Sequence, residues 1–273
     1  MNEKIRSIQT IYPARETFDG AGVRIFRSIG SPGLNHVDPF LLLDEFISDN
    51  PDDYIAGFPA HPHRGFETVT YMIHGRIRHE DSTGNTGELG PGGVQWMTAG
   101  RGVVHSEMPL QENGLMHGFQ LWINLPAAQK MMPPRYQNIE SSAIPVMTNN
   151  DCEIKIIAGT LDAISGPVNG VITDPLYLDV NLSPHAEFQF PEASAHTLLA
   201  YVFDGELDFG SGWIKKGNVV VFSGEGKLRS VSGKSGGRFL LLGAKPLNEP
   251  IFRSGPFVMN TREEIEKAYQ DFR

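Results

Sequence analysis

From His61 to Ile73 the chain shows a period of two: positions 61, 63, 65, 67, 69, 71 and 73 are His, His, Gly, Glu, Val, Tyr and Ile. Side chains that alternate between two faces are the mark of a β-strand. As one uninterrupted strand, 61–73 turns all seven residues toward one interior and sends Thr68, Thr70 and Met72 to the other face. The spacing returns at the end of the same stretch, in His105-Ser106-Glu107. His61 therefore shares a face with His63, and His105 with Glu107. Brought across a sheet, the two pairs converge three imidazoles and one carboxylate on a point, the outline of a mononuclear metal site. The same parity directs Glu67 toward the two histidines, unless a bulge reverses it.

The remainder reads as scaffold for that stretch. Thirty glycines and 19 prolines among 273 residues predict many short strands joined by tight turns. Strand signals recur in Val23–Arg27, Pro39–Phe46 and Gly118–Leu125. Arg76–His79 reads as a return strand, with His74 and His79 exposed. Residues 126–137, with Pro133 and Pro134, read as an interdomain connector without strand alternation. Thr261-Arg262-Glu263-Glu264 has the capping-box pattern, and Ile265, Ala268, Tyr269 and Phe272 follow at helical spacing.

The second half repeats the first in weakened form. Tyr71 to Ile77 compares with Tyr201 to Leu207, and Gly93 to Met97 with Gly217 to Phe222, with one residue of slack. Anchored on the two tyrosines, Pro191 falls opposite His61, Ala193 opposite His63 and Thr197 opposite Glu67. The scaffold is duplicated, and the ligand set is not.

Composition narrows the function classes. The formal net charge is -9, and no basic cluster is longer than Lys215-Lys216, which argues against direct nucleic-acid binding. Cys152 is the single cysteine, so neither an intrachain disulfide nor a thiolate metal cluster can form. The N-terminal residues Met1 to Ser7 lack an apolar core, and runs such as Phe239–Leu242 are far short of the ~20 residues that span a bilayer. A cytoplasmic, reducing location is expected, without membrane contact.

Several long motifs, in order, carry a family resemblance. They are Asp38–Phe46, His61–Tyr71, Gln95–Gly102, His105–Glu107 and Phe119–Pro126. The chain resembles two-domain members of the cupin superfamily, and specifically the pirin family. The resemblance implies an all-β fold of two cupin barrels (jelly-roll, or double-stranded β-helix) with a short C-terminal α-helix. It implies an N-terminal metal-binding cupin domain over 1–135. A C-terminal cupin domain without ligands, carrying the terminal helix, would occupy 136–273. Carried over residue by residue, the ligands are His61, His63, His105 and Glu107, holding one divalent transition metal, taken to be Fe(II). The general cupin pattern uses Glu67 as a ligand with a histidine after the Pro-x-Gly turn. Here Trp96 stands in that histidine's place, which agrees with the pirin arrangement and leaves Glu67 as an orienting or catalytic candidate.

Three neutral imidazoles and a carboxylate suit Fe(II), Mn, Ni, Cu or Zn, and affinity alone does not choose among them. Four ligands on an octahedral ion leave two positions open; on zinc they would close a tetrahedron. With two positions open, the pirin resemblance implies a dioxygenase that cleaves the ring of a flavonol such as quercetin with O₂, with Glu67 removing the hydroxyl proton. The alternative is a non-enzymatic, metal- or redox-responsive regulator that binds a transcription factor or a metabolic enzyme.

Overall fold

The computed structural model describes residues 4–191 and 196–273. Ala193 and the first three residues of the N-terminal segment considered above lie outside them. In chain order the first strands are β1 (Ser7–Pro13), β2 (Arg15–Asp19), β3 (Val23–Ile29), β4 (Phe40–Ser48) and β5 (Phe58–His63). They are followed by β6 (Phe66–His74), β7 (Ile77–Asp81), β8 (Thr86–Leu89), β9 (Val94–Thr98), β10 (Val103–Pro109), β11 (Met116–Asn124) and β12 (Arg135–Ile139). Strands β2 to β12 form one barrel of two sheets, ordered β12-β9-β6-β11-β4-β3-β2 and β5-β10-β7-β8. Between the sheets lie Val23, Ile25, Phe46, Met72, Ile77, Leu89 and Met116, the apolar members of an alternating pattern.

The second barrel is built from β13 (Val146–Thr148), β14 (Cys152–Ala158), the small hairpin β15 (Thr160–Leu161) and β16 (Ile164–Ser165), and β17 (Leu176–Leu182). It continues with β18 (Glu187–Phe190), β19 (Thr197–Asp208), β20 (Trp213–Lys215), β21 (Asn218–Ser223) and β22 (Leu228–Ala244). Its main sheet runs β1-β21-β19-β22-β17-β14-β13, which matches the first barrel position for position. The repeat seen in the sequence follows from this: Tyr71 pairs with Val94 across β6 and β9, and Tyr201 with Val219 across β19 and β21. Phenyl rings fill the second interior, with Phe188, Phe209, Phe222 and Phe239 in edge contacts at 5.3–5.6 Å. Among the described residues no metal-ligating group of three or more side chains lies there.

The chain closes with the hairpin β23 (Phe252–Ser254) and β24 (Phe257–Met259), then helix α1 (Arg262–Asp271). Thr261 and Glu264 form the expected capping box, worth about 1 kcal/mol. Ile265 and Ala268 pack with Phe257, Met259 and Phe272.

Three expectations are corrected. Residues 1–14 belong with 142–246, and 247–273 with 15–141, so the division into 1–135 and 136–273 holds at neither end. The physical cause is edge pairing: β1 supplies the outer strand of the second barrel, and the terminal hairpin and helix bury their apolar side against the first. The supposed connector contains a strand, because Arg135–Ile139 pairs with β9 and gives the first barrel its own outer edge. The run 61–73 is two strands, broken at Arg64-Gly65, and they lie in different sheets.

Gly65 makes that break. Its φ of +90° is a conformation in which side-chain-bearing residues are strained, and a Cβ there would overlap the Val258 carbonyl oxygen. Gly65→Ala is therefore expected to lower stability by about 1–3 kcal/mol or more. A fall in the denaturation midpoint would show it; an unchanged midpoint would show that this turn carries no strain.

Candidate metal centre

β5 and β10 are adjacent and antiparallel, and His105 lies directly opposite His61. His63, two residues on, presents its ring to the same interior. The imidazole centroids of His61, His63 and His105 are 4.4–5.0 Å apart, and one ligand nitrogen from each lies within 4.8 Å of the others. The three histidines identified from the sequence are thus brought together.

Their tautomers follow from their hydrogen bonds. His61 Nδ1 lies 2.8 Å from the Pro59 carbonyl, and His63 Nδ1 lies 3.4 Å from the Pro256 carbonyl. A carbonyl only accepts, so each Nδ1 carries the proton and each Nε2 keeps its lone pair. His105 Nδ1 faces His79 Nδ1 at 3.3 Å, while its Nε2 is buried with no hydrogen-bond partner. The Nε2 atoms of His61 and His63 face each other at 3.0 Å. Two lone pairs at that distance repel, unless a cation lies between them. Imidazole nitrogens about 2.1 Å from one ion and at right angles would lie about 3.0 Å apart. Burial pushes His63 down to about 3, helped by the charge of His61. Burial, then the neighbouring His63 and His61, also takes His105 well below its ordinary value. Neutral, deprotonated Nε2 donors at physiological pH are what a divalent transition metal requires.

Glu107 follows two residues after His105 on β10, and its carboxylate reaches Thr70 and Gln120 of the facing sheet. Gln120 Nε2 donates to Glu107 Oε2 at 3.3 Å. The Thr70 hydroxyl stands 2.8 Å from both Glu107 Oε1 and Gln120 Oε1, and its single proton serves one at a time. The carboxylate is held from behind and lines the same cavity as His61 and His63.

Glu67 is placed elsewhere. Thr70 reaches Glu107, so even-numbered residues of β6 face the interior, and Glu67, three positions away, faces the opposite side. There it accepts a hydrogen bond from Thr98 Oγ1 at 2.6 Å, and burial pushes its carboxyl up against that bond. The Gly65 break reversed the parity on which its expected position rested.

His79, expected to be exposed, is 2% exposed with its ring 5.1 Å from that of His105. With His105 Nε2 turned to the cluster as a free donor atom, His105 Nδ1–H donates to His79 Nδ1, and this bond fixes the orientation of the His105 ring. Asp81 lies 4.0 Å from His79 Nε2; burial pushes Asp81 up, but hydrogen bonds from Thr83 and Asn85 prevail and hold it at about 2. The signal was present in the sequence: Ile77 and His79 share a parity opposite to Arg78 and Glu80. Gln120 on β11 also faces inward, toward Glu107. His117 turns away, Nε2 to Glu45 Oε1 at 2.8 Å.

The cluster opens on a cavity of about 640 Å³, a size that suits a two- or three-ring organic molecule. Ile25, Leu42, Phe46, Phe58 and Trp122 give it apolar walls, and Arg27, Asp44 and Arg253 a charged one. The Trp122 ring is 5.1 Å from that of His63 and 4.3 Å from that of Phe66.

Comparison with known proteins agrees in both halves. The family profile described as Pirin matches residues 22–123, and that described as Pirin C-terminal cupin domain matches 177–273. A pirin-like protein of Caulobacter vibrioides is 45% identical, over 98% of each chain. Pirin of Homo sapiens is 43% identical, over 95% of this chain and 90% of its own. A crystal structure of quercetin 2,3-dioxygenase from Acinetobacter baumannii superposes with a TM-score of 0.91 at 33% identity, over 98% and 97% of the two chains.

Replacing His79 with Leu, which fills the space but accepts no proton, is expected to weaken metal binding about 10- to 100-fold. Glu67→Gln is expected to leave metal affinity unchanged. Competition against a chromogenic chelator measures both. A Glu67 effect as large as that of His79 would contradict the placement of Glu67 on the far face.

Proposed function

Because the chain belongs to the pirin family and carries both of its cupin domains, we propose that it is a metal-dependent dioxygenase that opens the ring of a flavonol such as quercetin. The observation that carries this reading is the set of Nε2 lone pairs freed on three clustered histidines, two of which line a flavonol-sized cavity. His61, His63, His105 and Glu107 hold the metal, taken as Fe(II). When bound, it supplies a Lewis-acidic, redox-active centre for a phenol and O₂.

The chain's own residues do the rest. Pro59, Pro256 and His79 hold the three ring orientations through Nδ1, so the donor set is organised before anything binds. Glu107 is the cavity carboxylate on the same strand as His105, and it adds an oxygen ligand to the three imidazoles. Thr70 and Gln120 hold the orientation of that carboxylate. Trp122, Phe46, Phe58 and Leu42 exclude water from the ring being opened.

The test is direct. Protein loaded anaerobically with Fe(II) and mixed with quercetin should consume O₂ on its admission and release carbon monoxide and the depside ester. The double variant His61→Ala/His63→Ala should not. Equal turnover by wild type and the double variant would refute the proposal.

A further inference from the structure

The charged wall of the cavity contains two arginines in different circumstances. Arg27 is committed: Nε and Nη2 reach the Asp44 carboxylate at 2.8 and 2.7 Å, and Nη2 also reaches Asp19 at 2.6 Å. Arg253 is not. Among the described residues its one hydrogen bond runs from Nη1 to the Leu41 carbonyl at 3.2 Å, and it has no carboxylate within ion-pair distance. Its guanidinium lies over the Trp122 ring, 4.7 Å from the centroid, and the same indole meets the His63 ring edge-to-face at 5.1 Å. One indole therefore touches both a metal-binding histidine and a cation without a carboxylate partner, and all three line one cavity.

The hairpin that carries that cation also reaches the metal-binding floor. Arg253 belongs to β23, and the same hairpin presents Pro256, whose carbonyl receives His63 Nδ1. Gly255, at φ +53°, makes the turn between them and also lines the cavity. Stacking on Trp122 and the bond to Leu41 fix one edge of the guanidinium and leave its remaining N–H donors without a protein acceptor. A planar, multi-donor cation beside an apolar aromatic wall matches an aromatic ligand with an ionised oxygen at the end remote from the histidines.

We propose that Arg253, preorganised on Trp122, is a specificity-determining residue that takes a phenolate or carboxylate oxygen of an aromatic substrate and so sets which end faces His61, His63 and His105. The substrate class is then an anionic aromatic compound rather than any neutral phenol. This rests on the cavity's being the substrate site, as proposed above, but it does not depend on turnover.

The experiment measures binding to the full chain under nitrogen, where no oxidation occurs, by quenching of tryptophan fluorescence. The probes are quercetin, 3-hydroxyflavone, which lacks the remote ionisable hydroxyls, and 3-hydroxyflavone carrying a carboxylate on its remote ring. At mildly alkaline pH, Arg253→Met should weaken quercetin and the carboxylate by about tenfold or more and leave 3-hydroxyflavone unchanged. Arg253→Lys should recover part of the loss. Bound metal per chain should be the same in all three proteins. Wild-type affinities in Arg253→Met, or an equal loss for all three probes, would overturn the proposal, as would absence of binding to wild type. Anion-selective binding that depends on Arg253, without oxygen-dependent turnover, would sustain this inference while refuting the dioxygenase reading. Turnover with unchanged affinities in Arg253→Met would do the reverse.

Discussion

The first barrel depends on a buried ammonium. Lys130 is 1% exposed, and its Nζ donates to the Gly65 carbonyl at 2.7 Å, Asn124 Oδ1 at 2.6 Å and the Val258 carbonyl at 3.0 Å. An ammonium has three protons, and all three are used, which is the condition under which burying it is tolerable. Burial still draws it down to about 8. The three acceptors come from the turn between β5 and β6, the end of β11, and the terminal hairpin. One cation therefore ties the site where the chain changes sheets to the segment that walls the cavity.

That change of sheets makes the centre possible. Had 61–73 remained one strand, its histidines would have lain in the same sheet as Thr68 and Trp96. The break at Gly65 instead puts His61 and His63 beside β10, directly across from His105, and leaves β6 to offer Thr70 from the opposite sheet. The donors then come from one sheet, while Thr70 and Gln120 hold the carboxylate from the other. Arg64 strengthens the corner, with Nε to the Arg101 carbonyl at 2.6 Å and Nη1 to Asp271 at 2.8 Å.

The second barrel shows the same framework put to another use. Its seven-strand order repeats that of the first, yet its interior is closed by phenyl rings where the first has imidazoles and a cavity. A phenyl-filled interior gains stability from apolar burial and edge contacts. A polar, hollow interior gives up that stability; each of the three histidines has an Nδ1 partner, while His105 Nε2 is left without one.

Local spacing was legible before folding: the strand-rich architecture, the duplication, the helix cap at Thr261, and the shared strand faces of His61 with His63 and of His105 with Glu107. These survive because alternation and capping involve residues a few positions apart. The tertiary structure decided what depends on where one element meets another. Glu67 lost its expected outlook because the parity of a strand says nothing about a break two residues earlier. His79 became a partner of His105 because β7 packs on β10, and Pro256 became the acceptor for His63 across 193 positions of chain. Edge strands are paired by unsatisfied backbone groups that carry no residue code, so β1, β12 and the terminal hairpin found their barrels only in the folded chain.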